Sequence, residues 1–194
     1  MNTQINISKG QLSLASGILM GLSYPPGWGI FALFGLVPII RIWIKSSPII
    51  SLKYSFLFAI TCNTISLYWI GLNSGASIVP VIISLIAAIL YLSIFWAILG
   101  YCISSFEKKF SRTIYLIPFL WVTMEFSKSY GPLAFPWSSL ALTQTKFLPI
   151  LQMIDLTGSE GVSFWVILVN IITYFFLYKI KLNRKEYGML LVLV

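Results

Sequence analysis

The segment IVPVIISLIAAILYLSIFWAILGYCI, from Ile78 to Ile103, contains no charged residue and decides the class of fold. A helix needs about 20 predominantly apolar residues to cross the roughly 30 Å hydrocarbon core of a bilayer. The segment exceeds that length without a single Asp, Glu, Lys or Arg. It is therefore predicted to be a transmembrane helix, and the chain on either side of it contains further apolar runs of the same kind.

The whole chain has the composition of a protein whose main solvent is lipid. Of its 194 residues, 58% are hydrophobic and 9% are charged, whereas soluble domains are about one quarter charged. So few charges cannot cover a globular surface with polar groups. The net charge of +8 does not indicate nucleic-acid binding, because the basic residues lie in short gaps between apolar runs rather than in one patch.

Apolar runs between charges and Gly/Pro turns predict an all-α, polytopic membrane helix bundle with six complete transmembrane helices and the start of a seventh. The predicted spans are residues 11–23, 29–44, 54–72, 78–103, 113–126 and 159–178, and the unfinished one is 188–194. Seven residues of helix cover only about 10 Å. We therefore expect the chain to be a fragment of a longer protein or the product of a truncated gene.

The distribution of Lys and Arg predicts the orientation of this bundle. All 13 basic residues except Lys128 and Lys146 fall at the N-terminus or in connections on one side, and the basic side is cytoplasmic in most membrane proteins. The N-terminus is therefore expected inside, and the connections 24–28, 73–77 and 127–158 outside. The third connection is long and apolar, so we expect it to fold back against the outer leaflet and carry any binding surface.

Several kinds of chemistry are excluded or disfavoured by residue types. The chain has no histidine, which excludes Ser-His and Cys-His nucleophile pairs and removes the commonest metal ligand. Cys62 and Cys102 lie far apart inside apolar runs and form no CxxC pair, so they are interpreted as small buried residues rather than a metal or redox site. We expect no metal and no cofactor.

Two carboxylates are candidates for function because charges at membrane depth are costly and tend to be functional. Glu125 ends the fifth predicted span, and the alternative is an interfacial pair with Lys128 at i+3. Glu160 lies in Thr157-Gly158-Ser159-Glu160, and the alternative there is a capping box that opens the sixth helix.

The segment Phe135-Pro136-Trp137 is a third candidate. It follows Gly131 and Pro132, and two prolines and a glycine within so short a stretch cannot continue a helix. Two large aromatic side chains on a rigid, non-helical backbone would line a cavity. The alternative is an aromatic belt that anchors the chain at the headgroups.

The order of these features resembles the N-terminal membrane region of apolipoprotein N-acyltransferases. An aromatic-proline turn closes the first helix, a Trp-containing segment ends the third, and a Trp…Glu-Phe…Phe-Pro-Trp…Gly-x-Glu-x-x-x-Phe series follows over some forty residues. The matching segments are Gly21–Pro25, Leu67–Gly71, Leu120–Phe126, Phe135–Trp137 and Gly158–Phe164.

The resemblance implies a reaction, its partners and a location. In that family the membrane bundle carries a nitrilase-like domain on the outer side of the bacterial plasma (inner) membrane. An acyl chain passes from a phospholipid donor to the N-terminal diacylglyceryl-cysteine of an acceptor lipoprotein, through a thioester on a cysteine. A glutamate base and a lysine complete the triad, and no cofactor takes part.

The sequence departs from the family because the nitrilase-like domain and the final helix are not in it. Neither Cys62 nor Cys102 matches the nucleophile, so no triad residue is assigned, and the chain alone is expected to be inactive. For the membrane region, which this chain contains, the resemblance implies a lipid cleft at the outer ends of the helices. The residues assigned to that cleft are Tyr24, Trp69, Glu125, Phe135, Pro136, Trp137 and Glu160.

Two alternative functions remain open at this point. A small polytopic transporter would have pseudo-symmetric halves and a polar site at the bilayer midplane. A non-catalytic membrane scaffold would instead bind a separate extracytoplasmic partner through its outer face.

Overall fold

The computed structural model describes residues 7–75, 77–110 and 112–178, and within these ranges it contains helices and connections but no strand. The all-α prediction is therefore confirmed for this part of the chain. The predicted seventh span, 188–194, lies outside the described residues. The α-helices are α1 Lys9–Ser23, α2 Val37–Lys45, α3 Pro48–Ser66, α4 Ile78–Glu107, α5 Ile117–Ser127, α6 Leu148–Leu151 and α7 Ile154–Leu177. Short 3₁₀ segments are Gly29–Leu33, Tyr68–Leu72, Thr113–Leu116, Pro136–Ser138 and Leu140–Gln144.

The prediction of six complete spans is wrong. Among the described residues, only α3, α4 and α7 are long and apolar enough to cross a membrane. Helix α1 has 15 residues, α2 has 9 and α5 has 11, and at 1.5 Å per residue even α1 covers only about 22 Å. An apolar run in the sequence gives a number of residues but does not show whether they form one continuous helix.

The predicted span 29–44 shows how such a run is interrupted. A 3₁₀ segment ends at Leu33, and α2 begins only at Val37. The side chain of Asn170 on α7 reaches into the break, where its Oδ1 accepts the Leu36 N–H at 2.9 Å and its Nδ2 donates to the Ala32 carbonyl at 2.6 Å. Irregular backbone at membrane depth persists where protein groups satisfy it in this way.

The third and sixth predicted spans also have different bounds. Helix α3 begins at Pro48 rather than residue 54 and ends at Ser66, so that Trp69 lies in the 3₁₀ segment that follows it. Helix α7 begins at Ile154 and is interrupted at Gly158, where φ is 70° and ψ is 179°. That φ favours glycine because it is left-handed, and the helix that crosses the bundle continues after it.

Helices α1 and α3 pack closely because α1 has glycine where it faces α3. A Cβ atom on Gly17 would lie 2.7 Å from the Phe58 carbonyl oxygen, and one on Gly21 would lie 2.6 Å from Ile65 Cβ. These two glycines form a Gly-x-x-x-Gly pattern, which permits close helix contact in membranes.

The middle of the bundle is filled by a continuous set of aromatic rings from four helices. Phe58 stacks on Trp96 with ring centroids 5.0 Å apart, Trp96 contacts Trp121 at 5.4 Å, and Trp121 contacts Trp43 at 6.4 Å. All four side chains are at most 1% exposed. Helix α4, in contrast, exposes much of its apolar surface. Of its most apolar 18 residues, 22% are buried, as expected of a helix that faces lipid.

Candidate functional site

The connection between α5 and α7 folds back over the end of the bundle where α1 ends and α7 begins. Its 3₁₀ segment Leu140–Gln144 packs against α7 and against Gly29–Leu33. Leu140 is fully buried, and Ala141 and Gln144 are each 3% exposed. The connection therefore folds back onto the bundle itself, and its position against the outer leaflet stays a prediction.

Glu125 at the end of α5 holds this connection in place. Its Oε1 accepts the Trp121 indole N–H at 2.9 Å and the Leu140 backbone N–H at 2.7 Å, while Oε2 accepts the Ser139 hydroxyl at 3.2 Å. The side chain is 4% exposed. Hydrogen bonds to a charged acceptor are about twice as strong as those between neutral groups, so one carboxylate links α5 to the connection that follows it.

Lys128 provides a second link between the same two segments. It is 2% exposed, and its Nζ donates to the Ser138 hydroxyl at 2.7 Å and to the Ser138 carbonyl at 3.3 Å. The Tyr24 hydroxyl also donates to that carbonyl, at 3.1 Å. Burial lowers the pKa of the Lys128 ammonium, and the charge of Glu125 opposes that shift. Both groups are buried and bind the connection, and their charges interact as the predicted pair requires; a position at the membrane interface stays a prediction.

Ser163 on α7 completes this polar set. Its Oγ accepts the Ala141 backbone N–H at 3.1 Å and lies 3.3 Å from the Ser139 hydroxyl. The roles of Ser138, Ser139 and Ser163 were not predicted from the sequence. A serine in an apolar segment gives no local signal of its partner, and these partners lie 10 to 24 residues away.

Trp137 lies on the exposed side of this connection and stacks on Trp69. The ring centroids are 5.4 Å apart, and the planes differ by 17°. The two rings and Tyr24 border a cleft of about 370 Å³. Its other lining residues are Pro25, Ser66, Leu67 and Leu142. The structure thus brings together three predicted site residues that are far apart in the sequence.

Phe135 and Pro136 support Trp137 from the same segment. The Phe135 N–H donates to the Lys128 carbonyl at 3.0 Å, and its ring lies 6.3 Å from that of Trp137. Pro136 begins the 3₁₀ turn that carries Trp137. Trp137 is 59% exposed and Trp69 is 42% exposed, so the stacked pair is accessible from outside the bundle.

Glu125, Phe135 and Pro136 were also assigned to the cleft but do not line it, and neither does Glu160. Glu160 is half-buried on α7, just past the break at Gly158, and its Oε2 accepts the Ser159 hydroxyl at 3.1 Å. In place of the predicted capping box, the Thr157 hydroxyl donates to the Met153 carbonyl at 2.8 Å. The capping-box interpretation is wrong because the helix already runs through Thr157 before the break.

The cleft is lined by groups of the kind that bind a ligand. Its walls are mostly aromatic and aliphatic, and the polar side-chain groups of its lining residues are the hydroxyls of Tyr24 and Ser66 and the indole N–H groups of Trp69 and Trp137. Cys62 is fully buried in α3, and Cys102 is half-buried in α4. Across residues 7–75, 77–110 and 112–178, no cluster of His, Cys, Asp and Glu could hold a metal ion. The residues that line the cleft are therefore mostly apolar.

One family of known proteins matches most of the chain. The family described as "Apolipoprotein N-acyltransferase N-terminal domain" matches residues 16–172. The chain belongs to this family. The match includes every residue assigned to the lipid cleft, from Tyr24 to Glu160.

Relatives in the apolipoprotein N-acyltransferase family occur in distant bacteria. The chain is 29% identical over 168 residues to the apolipoprotein N-acyltransferase of Geobacter metallireducens. The matched segment covers 84% of this chain and 32% of that relative. Identity to that of Chlorobaculum tepidum is 24%, over 94% of this chain and 34% of the relative. The chain is 28% identical to the apolipoprotein N-acyltransferase of Borreliella burgdorferi, over 89% of this chain and 34% of that relative. The chain thus spans about a third of the length of these curated relatives.

Proposed function

We propose that this chain is the membrane portion of an apolipoprotein N-acyltransferase, which transfers an acyl chain from a phospholipid to the N-terminal diacylglyceryl-cysteine of a lipoprotein. Membership of the family supports the general activity. The aromatic cleft beside Trp69 and Trp137 supports the role of this segment, which is to guide the acyl chain of a lipid toward the reacting centre.

The cleft is the observation that carries the proposal. A slot of about 370 Å³ falls within the usual range for small-molecule sites. Flat aromatic rings pack well against methylene chains, and a half-exposed stacked pair provides such a surface at low entropic cost. The hydroxyl of Ser66, which also lines the cleft, suits the ester end of an acyl chain.

The acyl transfer itself needs a nucleophile, a base and a group that stabilises the oxyanion. We propose that residues outside this chain supply these groups, since Cys62 is sealed in the bundle core. The chain alone is then inactive. We also propose that it lies in the bacterial inner membrane with its N-terminus cytoplasmic, so that the cleft faces the outer leaflet.

The packing at mid-depth favours this role over transport. The Phe58, Trp96, Trp121 and Trp43 rings fill the centre of the bundle, whereas a transporter places a polar substrate site at that level. No described contact favours the scaffold alternative over the family function.

A chimera tests the proposal. Residues 16–172 would replace the matching segment of the Geobacter metallireducens relative, in a bacterial strain depleted of its own enzyme. Mass spectrometry of a lipoprotein's N-terminal peptide would distinguish diacylated from triacylated product. We expect the chimera to produce triacylated peptide and the chain alone to leave it diacylated. A chimera that is folded and inserted in the membrane but yields only diacylated peptide would contradict the proposal.

A further inference from the structure

A second cleft lies at the end of the bundle opposite to the Trp69–Trp137 cleft. Helix α1 runs from Lys9 at this end to Ser23 beside Tyr24 at the other end. The second cleft has a volume of about 490 Å³ and borders the start of α1, the end of α2 and the end of α7. Its lining residues are Ile7, Lys9, Leu12, Arg41, Ile42, Lys45, Ser46, Tyr174 and Tyr178.

Three cations converge on this cleft from two helices. Arg41 and Lys45 are four residues apart on α2 and therefore share a face, where like charges repel. Lys9 adds a third positive charge from the first turn of α1. All three side chains are exposed. An anion between them would relieve this repulsion.

The binding groups of Arg41 are held in position but left free. Its guanidinium lies 4.6 Å from the centre of the Tyr178 ring, which is a cation–π contact. Among the described residues its N–H groups donate to no acceptor. The planar guanidinium presents its N–H donors as a fork, and this geometry matches the oxygens of a phosphate.

Among the residues that the structure describes, one carboxylate acts on the cleft. Glu107 at the end of α4 interacts electrostatically with Lys45, so it offsets part of one of the three charges. Lys9 and Arg41 keep theirs. The net charge of the described side chains around the cleft is therefore positive.

We infer that this cleft binds the phosphate of an anionic membrane phospholipid. The apolar side chains of Leu12 and Ile42 line the same space as the cations, which suits a ligand with a charged head and an apolar body. Basic pockets between transmembrane helices at headgroup level bind anionic lipids in this manner. This site is separate from the aromatic cleft and does not depend on the proposed acyl transfer.

The test compares lipid binding by two matched pairs of charge removals in the full chain. Arg41→Gln with Lys45→Gln removes two charges inside the cleft. Lys108→Gln with Lys109→Gln removes two exposed charges just after α4, at the same end of the bundle and outside the cleft. Native mass spectrometry of detergent-purified protein would measure the binding of phosphatidylglycerol, with phosphatidylcholine as the zwitterionic comparison.

We expect the cleft pair to weaken phosphatidylglycerol binding about 25-fold, since each cation near an anionic lipid contributes about fivefold. The control pair should change it by less than about twofold, because exposed charges away from the cleft are screened. Lys9→Gln alone, in the exposed first turn of α1, should weaken binding about fivefold and tests the site even if the double variant fails to fold.

Three results would overturn the inference. The first is equal binding by the cleft pair and the unaltered chain, and the second is equal loss in both pairs, which would indicate surface charge in general. The third is displacement of the lipid by inorganic phosphate in large excess, which would assign the cleft to a free anion. Retention of phosphatidylglycerol in that excess, and weak binding of phosphatidylcholine, support the lipid.

Discussion

The Leu140 backbone N–H donates to Glu125 Oε1 at 2.7 Å, and this bond joins the end of α5 to a connection 15 residues further along the chain. With the Lys128–Ser138 bond at 2.7 Å, it positions the turn that carries Trp137. The aromatic cleft therefore depends on buried charges beneath it, and the first prediction concerns them.

Glu125→Gln should destabilise the protein and loosen the connection. The substitution weakens three hydrogen bonds to a charged acceptor, each contributing about 1.5–3 kcal/mol, and leaves the buried Lys128 without a nearby negative charge. We expect the free energy of unfolding to fall by at least about 2 kcal/mol. Denaturation of the purified chain in detergent, followed by circular dichroism, would measure it.

Glu160→Gln is the matched control for that substitution. Glu160 is half-buried and its carboxylate accepts one neighbouring hydroxyl, so the change should be less than about 1 kcal/mol. Equal losses from both substitutions would mean that Glu125 has no special role in holding the connection.

Gly17→Ala should disrupt the contact between α1 and α3. The added Cβ would lie 2.7 Å from a backbone oxygen of Phe58 and from Thr61 Cβ, and overpacking of this kind costs about 1–3 kcal/mol. Gly10→Ala on the same helix would meet no atom closer than 3.8 Å, so it should be neutral or slightly stabilising. Thermal unfolding of both variants would check the difference, and equal midpoints would show that the helices tolerate a wider separation.

The orientation of the bundle can be measured by thiol labelling of whole cells. In a chain with Cys62 and Cys102 replaced by alanine, a membrane-impermeant maleimide should label Leu133→Cys, whose side chain is 69% exposed in the connection after α5. Lys109→Cys, exposed just after α4, should react only after the cells are lysed. The reverse pattern would invert the predicted orientation and place the aromatic cleft at the cytoplasmic leaflet.

The sequence predicted the helical class and the longest spans because length and lack of charge are properties of a single segment. Helix α4 was predicted for this reason, and it is among the three helices long and apolar enough to cross. The break between Leu33 and Val37 was not predicted. It is held by Asn170, more than 130 residues further along, and a scan of local hydropathy does not detect such a partner.

Three of the seven residues assigned to the cleft from the sequence line one cleft in the structure, and their arrangement was not predicted. Tyr24, Trp69 and Trp137 were selected one by one from their motifs, and only the fold shows that they border one cleft. Glu125 was selected as a costly carboxylate, and the structure adds its partners in the connection. Glu160 was selected for the same reason, but it does not line that cleft.

Trp137→Ala in the chimera with the Geobacter metallireducens relative tests the central claim most directly, because it removes one wall of the aromatic cleft and leaves the buried Glu125 and Lys128 contacts in place. Trp28→Ala is the control, since Trp28 is 68% exposed at the same end of the bundle and does not line the cleft. We predict that Trp137→Ala lowers the rate of lipoprotein N-acylation at least about tenfold, equivalent to about 1.4 kcal/mol of lost transition-state stabilisation, while Trp28→Ala stays within about twofold. Equal acylation rates in both variants and the parent chimera, at equal amounts of protein in the membrane, would contradict the assignment of this cleft to the acyl chain.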